Sequence, residues 1–421
     1  MNLSTLFTFY LFYAKILVMN IINIKDKNLF YIGGVVRDEI LGRKSFDIDI
    51  TYVGNAIEYC AENAQDLFEI IQENPDFGTV RVKIAPSSYP LPQGERENII
   101  VDIASTRSES YPRKGHLPVV EKIGCSLKED VLRRDFTINA LAKNTLTGEI
   151  VDYTGGLEDL KNKKLRVLHD ESFIDDPTRI IRGLKFSVRF GFELDEHTKD
   201  LQDKYLSAVN YDMSYKRVKK ELVETFNPHP NLFPLIRHSV PPSPTNGEKG
   251  MYQLAFEKFV NEGIYKLLTE KEIKLPDVNV ENLVNKYLAA QPLSCSAAIW
   301  LVYMGAFDLS RLPLTKIEQK ILDDVPEKLE GDFELYKAFE NTRIETVLLY
   351  ALKDEAGARR YLDDLRKIKI SVTGKDLQEL EIKPSPKYQK IFDGILKAKL
   401  ENPEMTKEDE LKLAKLILKT P

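Results

Sequence analysis

The period of hydrophobic and polar positions changes along the chain, and this change separates an α/β part from a helical part. Within residues 31–52, an apolar run ends at two glycines, and then Ile48 and Ile50 alternate with two aspartates. Alternation with a period of two predicts a strand with one buried face and one polar face. The stretch is therefore predicted as a strand, a glycine turn, a short helix and a second strand, with Asp47 and Asp49 on its polar face.

Later segments extend this pattern into a larger unit. Residues 55–70 have helical spacing, whereas residues 78–84, 98–106 and 148–153 alternate as strands. They predict a small mixed sheet with helices on one side, followed by an almost wholly helical chain. The predicted organisation is an N-terminal extension (1–28), an α/β head (29–155), a helical neck (156–226), a linker (227–250) and a helical body and tail (251–421).

Composition limits the class of protein. The net charge of −5 and the charged fraction of 30% do not indicate a chain that is basic throughout, so any nucleic-acid surface must be local. Three cysteines are scattered without paired or metal-ligand spacing, which indicates a reducing compartment such as the cytoplasm. The first 18 residues are apolar but lack a basic n-region and a cleavage site, and they are too short to span a membrane. We interpret them as a weakly structured extension or a misassigned start.

The polar face of the second strand is the first candidate site. Asp47 and Asp49 suit one or two Mg²⁺ ions bound to nucleotide phosphates, although an acidic outer strand face has the same pattern. Gly33 and Gly34 would let backbone N–H groups approach an anion, and the following helix aims its positive end the same way. Arg37, one helical turn later, is placed for a phosphate.

Two further segments of the head carry polar residues that could join this site. Asp102 lies in a later strand, where it is either a third carboxylate near the metal or an edge-facing side chain. Residues 106–121 hold Arg113, Lys114 and His116 with few hydrophobic residues. They predict a mobile basic loop that is either solvated or a gate over the site.

A mixture of donors and acceptors marks residues 131–142, VLRRDFTINALA, which are predicted as a helix or a turn and a helix. Arg134 and Asp135 lie beside Phe136, which we expect to be buried. Such a mixture suits a ribose hydroxyl and a phosphate better than it suits a solvated helix face.

A helix with a cationic face begins near Asp176, because an aspartate before a proline is typical of a helix start. Arg179, Arg182 and Lys185 recur on one face every three or four residues, and no acidic partner lies within the helix. Phosphate is therefore a candidate counterion.

Asp176 and Arg179 form an i, i+3 pair whose hydrogen-bonding groups fit two bases. Cytosine and adenine each present an amino group beside an unprotonated ring nitrogen, so a carboxylate and a guanidinium would serve both. Uracil and guanine present the reverse pattern and would be repelled. The alternative is that Asp176 caps its own helix, although Asp175 could take that cap instead.

Three of these segments resemble motifs of the class II CCA-adding enzymes and bacterial poly(A) polymerases, a branch of the polymerase beta superfamily. They are GGVVRDEILGRKSFDIDI (33–50), RRDFTINA (133–140) and DDPTR (175–179), which stands for the family's E-D-x-x-R. Asp175 replaces the glutamate, and Lys185 stands where many relatives have an arginine that could bind phosphate in a bidentate way. The resemblance is strong over residues 29–226, weak over the last fifty residues and almost absent between them.

The resemblance implies a template-independent RNA nucleotidyltransferase that adds CCA to the 3′ end of tRNA from CTP and ATP and releases pyrophosphate. Asp47 and Asp49 would hold Mg²⁺, Asp135 would meet the ribose, and Asp176 with Arg179 would read the base. The backbone of Gly34 would bind the triphosphate together with four cationic side chains, those of Arg37, Arg134, Arg182 and Lys185.

Other activities stay open at this point. A CC-only enzyme, an A-only enzyme or a poly(A) polymerase would use the same chemistry. A non-catalytic RNA-binding protein on a decayed polymerase fold belongs to a different class, and the intact pair of aspartates argues against it. No obligate protein partner is implied.

Overall fold

The computed structural model describes residues 24–43, 45, 48–64, 68–84, 99–227, 250–288, 298–380 and 386–419. The chain divides into two compact units, with the boundary between Lys271 and Glu272. The first unit contains the predicted head and neck. It also contains residues 251–271, which the predicted boundaries place in the body.

Within the described residues, one mixed sheet dominates the first unit. The strands in chain order are β1 (Leu29–Ile32), β2 (Asp49–Tyr52), β3 (Phe68–Asn74), β4 (Thr79–Ile84), β5 (Ile99–Ser105), β6 (Arg107–Ser110), β7 (Val119–Ile123), β8 (Leu141–Asn144) and β9 (Ile150–Asp152). Seven of them form a sheet of order β3-β4-β5-β2-β1-β8-β9, in which β2 and β5 are parallel and the other neighbours antiparallel. Strands β6 and β7 pair separately, and two further short strands, β10 (Lys164–Leu165) and β11 (Glu193–Leu194), form a parallel pair.

The helices fall into two sets. Those of the first unit are α1 (Gly34–Ile40), α2 (Ala56–Glu62), α3 (Leu127–Leu132), α4 (Gly156–Asn162), α5 (Ser172–Asp175), α6 (Thr178–Phe190), α7 (Glu196–Ser207), α8 (Tyr215–Phe226) and α9 (Met251–Asn261). Those of the second unit are α10 (Val280–Leu288), α11 (Trp300–Met304), α12 (Lys316–Asp323), α13 (Asp332–Phe339), α14 (Ile344–Tyr350), α15 (Glu355–Asp363), α16 (Gly374–Glu379), α17 (Lys387–Glu401) and α18 (Lys407–Lys419). In the described part of the chain, none of them combines the length and hydrophobicity that crossing a membrane requires.

Side chains alternate between the two faces of the sheet, and their burial shows which face packs against the helices. In β5, Val101 and Ile103 are buried, while Asp102 between them is exposed. Strand β4 places Arg81 directly opposite Asp102, on the same open face. Helices α1 and α2 pack against the sheet and give the two layers of an α/β unit. The predicted fold class, an α/β head with a small mixed sheet followed by helical domains, is confirmed.

Three local predictions are wrong. Residues 131–142 do not form the predicted helix, because α3 ends at Leu132, residues 137–139 make a single 3₁₀ turn, and Leu141 and Ala142 pair with β1 and β9 as part of β8. The segment 55–70 is helical only as far as Glu62, because residues 68–74 pair with β4 as an edge strand. This pairing, which sets Ile70 opposite Val82, outweighs the helical spacing. The predicted continuous loop 106–121 contains paired strand residues at both ends, so the connection between β6 and β7 is shorter than expected.

The second unit has a core of its own. Trp300 and Tyr350 are buried in it. Near the C-terminus, Lys399 forms a buried ion pair with Glu410, whose carboxylate also accepts the Val372 N–H at 2.8 Å. This pair ties α17 and α18 to the segment before α16.

Candidate active site

A cavity of about 610 Å³ opens in the first unit beside the glycine turn. Its walls come from that turn, β6, the RRDFTINA segment, α6 and α8. All predicted site residues that the structure describes line this cavity, with the exception of Asp102. Asp47 lies outside the described residues. Segments that are distant in sequence therefore converge on one space.

The glycine turn brings the backbone close to two arginines. Gly33 has a φ of 74°, in the left-handed region that glycine adopts without strain. A Cβ at Gly33 would lie 3.1 Å from Nη1 of Arg134, and one at Gly34 would lie 3.4 Å from Nη2 of Arg37. A side chain at either position would crowd a guanidinium group.

Two carboxylates lie side by side on the open face of the sheet. Parallel pairing of β2 with β5 sets Asp49 opposite Asp102. Asp102 also accepts from Arg81 at 2.7 and 2.8 Å. Carboxylate oxygens are the donors that Mg²⁺ prefers, so these residues fit that ion. Among the described residues, which do not include Asp47, no cluster of three or more acidic, histidine or cysteine side chains is arranged around a metal position.

Arg37 is more deeply buried than the sequence indicates, with 4% of its surface exposed. Its guanidinium donates to Asp38 at 2.9 Å and to Asn139, and it lies 5.4 and 4.6 Å from the ring centroids of Phe186 and Phe190. Burial lowers the pKa of Arg37, and Asp38 opposes this effect. Arg37 is thus a packed part of the cavity wall, and its predicted phosphate contact stays a prediction.

Asp135 is buried and accepts hydrogen bonds on both oxygens. Oδ1 accepts from the Phe136 N–H at 2.8 Å and from Asn139 at 2.9 Å, and Oδ2 accepts from Nε of Arg182 at 2.8 Å. Burial would raise the pKa of Asp135, but Arg182 and these hydrogen bonds outweigh it and hold the pKa well below its usual range. Asp135 is therefore an ionised carboxylate fixed between the RRDFTINA segment and α6.

The sequence analysis missed two carboxylates that organise the neighbouring arginines. Asp130 is fully buried and accepts from Arg133 at 2.8 Å and from Arg134 at 3.2 Å. Glu109 accepts from Arg133 at 3.0 Å and from Arg107 at 2.7 Å. Burial would raise the pKa of Asp130, yet Arg134 and Arg133 lower it. The i, i+3 and i, i+4 spacing from Asp130 to these arginines is the sequence signal that could have found it.

The two oxygens of Asp176 have different partners. Oδ1 accepts from the N–H of Thr178 at 3.1 Å and from its hydroxyl at 2.6 Å, which ties Asp176 to the start of α6. Oδ2 pairs with Arg217 of α8, a residue that the sequence analysis did not assign to the site. Asp175 does not cap α6, because its carboxylate pairs with Lys114.

Arg179 is 3% exposed and is surrounded by acceptors. Nη1 donates to the Ser172 hydroxyl at 2.6 Å and lies 3.4 Å from Nε2 of His169. Nη2 donates to the Arg133 carbonyl at 3.0 Å and to the Tyr111 hydroxyl at 3.3 Å. Burial lowers the pKa of His169, and Arg179 lowers it further.

The cationic face of α6 has acidic partners that the helix itself does not supply. Lys185 donates to Glu221 at 2.7 Å and to Glu224 at 2.8 Å, both on α8. Arg182 lies 3.5 Å from Glu221 and pairs with Asp135. We predicted phosphate as the counterion because the helix itself has no acidic residue. The carboxylates that neutralise this face lie more than thirty residues away in sequence.

The connection between β6 and β7 contacts the neck rather than extending freely. Arg113 pairs with Asp212, Lys114 pairs with Asp175, and the N–H of Gly115 donates to the Asp175 carbonyl at 3.0 Å. These contacts hold the connection next to the N-terminus of α6. Its predicted role as a gate stays a prediction.

The head matches a known domain family. Residues 29–166 match the family described as Poly A polymerase head domain. The match spans β1 to the end of the RRDFTINA segment and continues through α4. It therefore includes the glycine turn, Asp49 and Asp135.

Curated relatives extend the similarity beyond the head. The A-adding tRNA nucleotidyltransferase of Aquifex aeolicus is 31% identical over 377 residues, which are 81% of this chain but 41% of that protein. The A-adding enzyme of Halalkalibacterium halodurans is 28% identical, covering 92% of this chain and 88% of the relative. The CCA-adding enzyme of Lactobacillus helveticus is 28% identical, covering 89% and 90%. The chain thus spans less than half of the Aquifex relative and most of the other two.

The fold is also that of a solved enzyme. A CCA-adding enzyme in an apo form superposes with a TM-score of 0.70 over 91% of this chain and 90% of that chain, at 22% identity. At this identity the likeness concerns the fold alone. The head-domain match and the relatives show that residues 29–166 form a poly A polymerase head domain, in a chain that is similar over most of its length to CCA-adding and A-adding tRNA nucleotidyltransferases.

Proposed function

We propose that this protein is a Mg²⁺-dependent RNA nucleotidyltransferase that adds CCA to the 3′ end of tRNA from CTP and ATP and releases pyrophosphate. The observation that carries the proposal is the convergence of Asp49, the glycine turn and the Asp176–Arg179 pair on one cavity. The CCA-adding relative, which is similar over nearly its whole length, supports the substrate assignment. The scattered spacing of the three cysteines in the sequence supports a cytoplasmic location.

Asp49, together with Asp47, is the proposed metal-binding pair. When bound, Mg²⁺ would neutralise the triphosphate and lower the pKa of the attacking 3′-hydroxyl. Asp102, next to Asp49 across the parallel pair, is the proposed third carboxylate. Arg81 donates to both oxygens of Asp102, so part of the negative charge of Asp102 is already compensated.

Cationic groups on three sides of the cavity would hold the triphosphate. Arg134 is the best placed, because its buried Nε has no hydrogen-bond partner among the described residues and its Nη1 lies near the glycine turn. The backbone of Gly34 and the Arg37 guanidinium complete this side. Arg182 and Lys185 are paired with carboxylates, so a triphosphate would share them with Asp135, Glu221 and Glu224.

The remaining residues would select the nucleotide. Oδ2 of Asp176 would accept from the amino group of cytosine or adenine, and Arg179 would donate to the adjacent ring nitrogen. Asp135 would accept from the ribose 2′-hydroxyl, which a deoxyribonucleotide lacks. One pair would thus serve both CTP and ATP.

An A-adding activity is the second candidate. The observation that favours it is the similarity to the Halalkalibacterium A-adding enzyme, which covers 92% of this chain. Such an enzyme would use the same residues but would act only on tRNA that already ends in CC.

Extension of tRNA transcripts that lack CCA, CA or A, each with CTP, ATP or both, tests the proposal. CCA addition predicts that every transcript is completed to CCA when both nucleotides are present. Extension of only the transcript that lacks A would select the A-adding alternative. A protein that extends none of them would refute the nucleotidyltransferase assignment.

A further inference from the structure

The guanidinium of Arg179 is held by two kinds of partner. Each terminal nitrogen of an arginine carries two N–H groups, and here each terminal nitrogen meets two acceptors. One contact on each nitrogen is close, namely Ser172 at 2.6 Å and the Arg133 carbonyl at 3.0 Å. The other contact on each nitrogen is long, namely His169 at 3.4 Å and Tyr111 at 3.3 Å.

Ser172 and Tyr111 also differ in where they lie. Ser172 is fully buried in α5 and does not line the cavity, whereas Tyr111 does. The Ser172 hydroxyl therefore holds Arg179 from behind, and the Tyr111 hydroxyl contacts it from the side that a nucleotide would occupy. Hydrogen bonds weaken with distance, so the Tyr111 contact is the more easily exchanged.

We propose that Ser172 is a positioning residue for base recognition and that Tyr111 is the partner that yields its place on Arg179 to the base. This inference rests on the proposed function of Arg179. Ser172, from the interior, and the Arg133 carbonyl together fix the plane of the guanidinium. An incoming ring nitrogen of cytosine or adenine takes the N–H of Nη2 that Tyr111 occupies in its absence.

The histidine contact is consistent with this division of roles. The lowered pKa of His169 keeps its imidazole neutral at physiological pH, so Nε2 can accept rather than repel a proton of Arg179. Arg179 and Lys114 disfavour the charged form, while Asp175 and Glu171 favour it. His169 does not line the cavity and stays behind the guanidinium.

Ser172→Ala removes the closest partner without adding bulk to a buried site. We expect the KM for both CTP and ATP to rise about tenfold, and discrimination against UTP to fall about tenfold, because a hydrogen bond to a charged group is being removed. Ser172→Cys, with a weaker acceptor, should lie between the parent and Ser172→Ala. Ser187→Ala is the matched control, since Ser187 is also buried but lies on α6 outside the cavity lining. A merely structural serine would alter the melting temperature and leave UTP discrimination unchanged.

For Tyr111→Phe we predict the opposite change in KM, because this substitution removes the hydroxyl that competes with the base. The KM for CTP and ATP should fall by about threefold as a long hydrogen bond is given up. A rise in KM would show that Tyr111 holds Arg179 in place, and it would overturn the inference.

A crystal structure of Ser172→Ala separates this inference from the proposed function. We expect the Arg179 guanidinium to rotate away from the Arg133 carbonyl, whether or not the parent protein extends tRNA. An unmoved guanidinium together with unchanged nucleotide selection would refute the positioning role. Parent protein that fails to extend tRNA would refute the proposed function, while the position of Arg179 in the variant would still decide the role of Ser172.

Discussion

At the scale of single residues, we assign two separable tasks to Asp176. Oδ1 holds the start of α6 through Thr178, and Oδ2, beside Arg217, is the oxygen that we assign to the base. A carboxylate oxygen has two acceptor sites, so Oδ2 can meet Arg217 and a base amino group together. Helix capping and base reading, which the sequence presents as alternatives, are therefore compatible in one side chain.

Substituting Asp176 in two ways separates these tasks. Asp176→Asn can keep the acceptor for Thr178 and place an amide donor at the Oδ2 position, which suits the carbonyl of uracil but gives up the ion pair with Arg217. We expect UTP use relative to CTP to rise about tenfold, because a mispaired buried polar group costs about 1–3 kcal/mol. Asp176→Ala should also lower the melting temperature, since a lost cap costs about 0.5–2 kcal/mol. Nucleotide competition and thermal unfolding measure the two effects, and parental selectivity in Asp176→Asn would remove this residue from base recognition.

Asp49 and Asp102 should differ in importance even though they are neighbours. Asp49→Asn should lower kcat about a hundredfold or more, because charge stabilisation by a bound metal is worth several kcal/mol. Asp102→Asn should have a smaller effect, since Arg81 already compensates part of its charge. Glu69→Gln is a control on the same sheet, where Glu69 pairs with Lys83 away from the cavity. Equal loss in the Asp49 and Glu69 variants, with all proteins folded, would contradict the metal assignment.

At the scale of elements, α8 prepares the cationic face of α6. Glu221 is 8% exposed and contacts both Lys185 and Arg182. A half-buried pair of cations without this carboxylate would repel each other, and a bound triphosphate would relieve that repulsion. Helix α8 therefore keeps α6 stable when no nucleotide is bound.

The substitution Glu221→Gln tests this pairing. We expect it to lower the stability of the free protein by about 1–3 kcal/mol, because it removes a shared carboxylate and leaves Lys185 with Glu224 alone and Arg182 with Asp135 alone. ATP should raise the melting temperature of this variant more than it raises that of the parent. Glu158→Gln, which alters an exposed ion pair on α4, serves as the control. An ATP-induced rise that is no larger in Glu221→Gln than in the parent would show that the triphosphate does not contact this face.

Sequence reasoning predicted the elements better than it predicted their neighbours. The glycine turn, β2, β5 and the start of α6 follow from local periodicity and turn residues. The pairing of Asp49 with Asp102 does not, because β2 and β5 are parallel strands that other strands separate in sequence. The burial of Arg37 under Phe190 likewise depends on where α6 packs, which no local pattern records.

At the scale of the whole molecule, the nucleotide cavity lies within the first unit. All residues that we assign to the nucleotide, from Gly34 to Lys185, precede the boundary after Lys271. A fragment of residues 1–271 should therefore bind ATP with an affinity within about threefold of that of the full chain, because distant sites act nearly independently. It should extend tRNA poorly, because we expect the helices after residue 192, most of which lie in the second unit, to hold the acceptor end of the tRNA by phosphate contacts. Calorimetric titration measures the affinity, and a folded fragment that fails to bind ATP would show that the second unit is part of the nucleotide site.

We expect this chain to transfer nucleotides from CTP and ATP to the 3′ end of tRNA through the Asp49 site. Mass spectrometry of a tRNA that lacks CCA, after incubation with both nucleotides and Mg²⁺, tests it most directly. We predict a product heavier by two C residues and one A residue, with pyrophosphate released in equal proportion to nucleotide added, and no product with Asp49→Asn. An unchanged tRNA mass with the folded parent protein, or the same product with Asp49→Asn, would contradict this expectation.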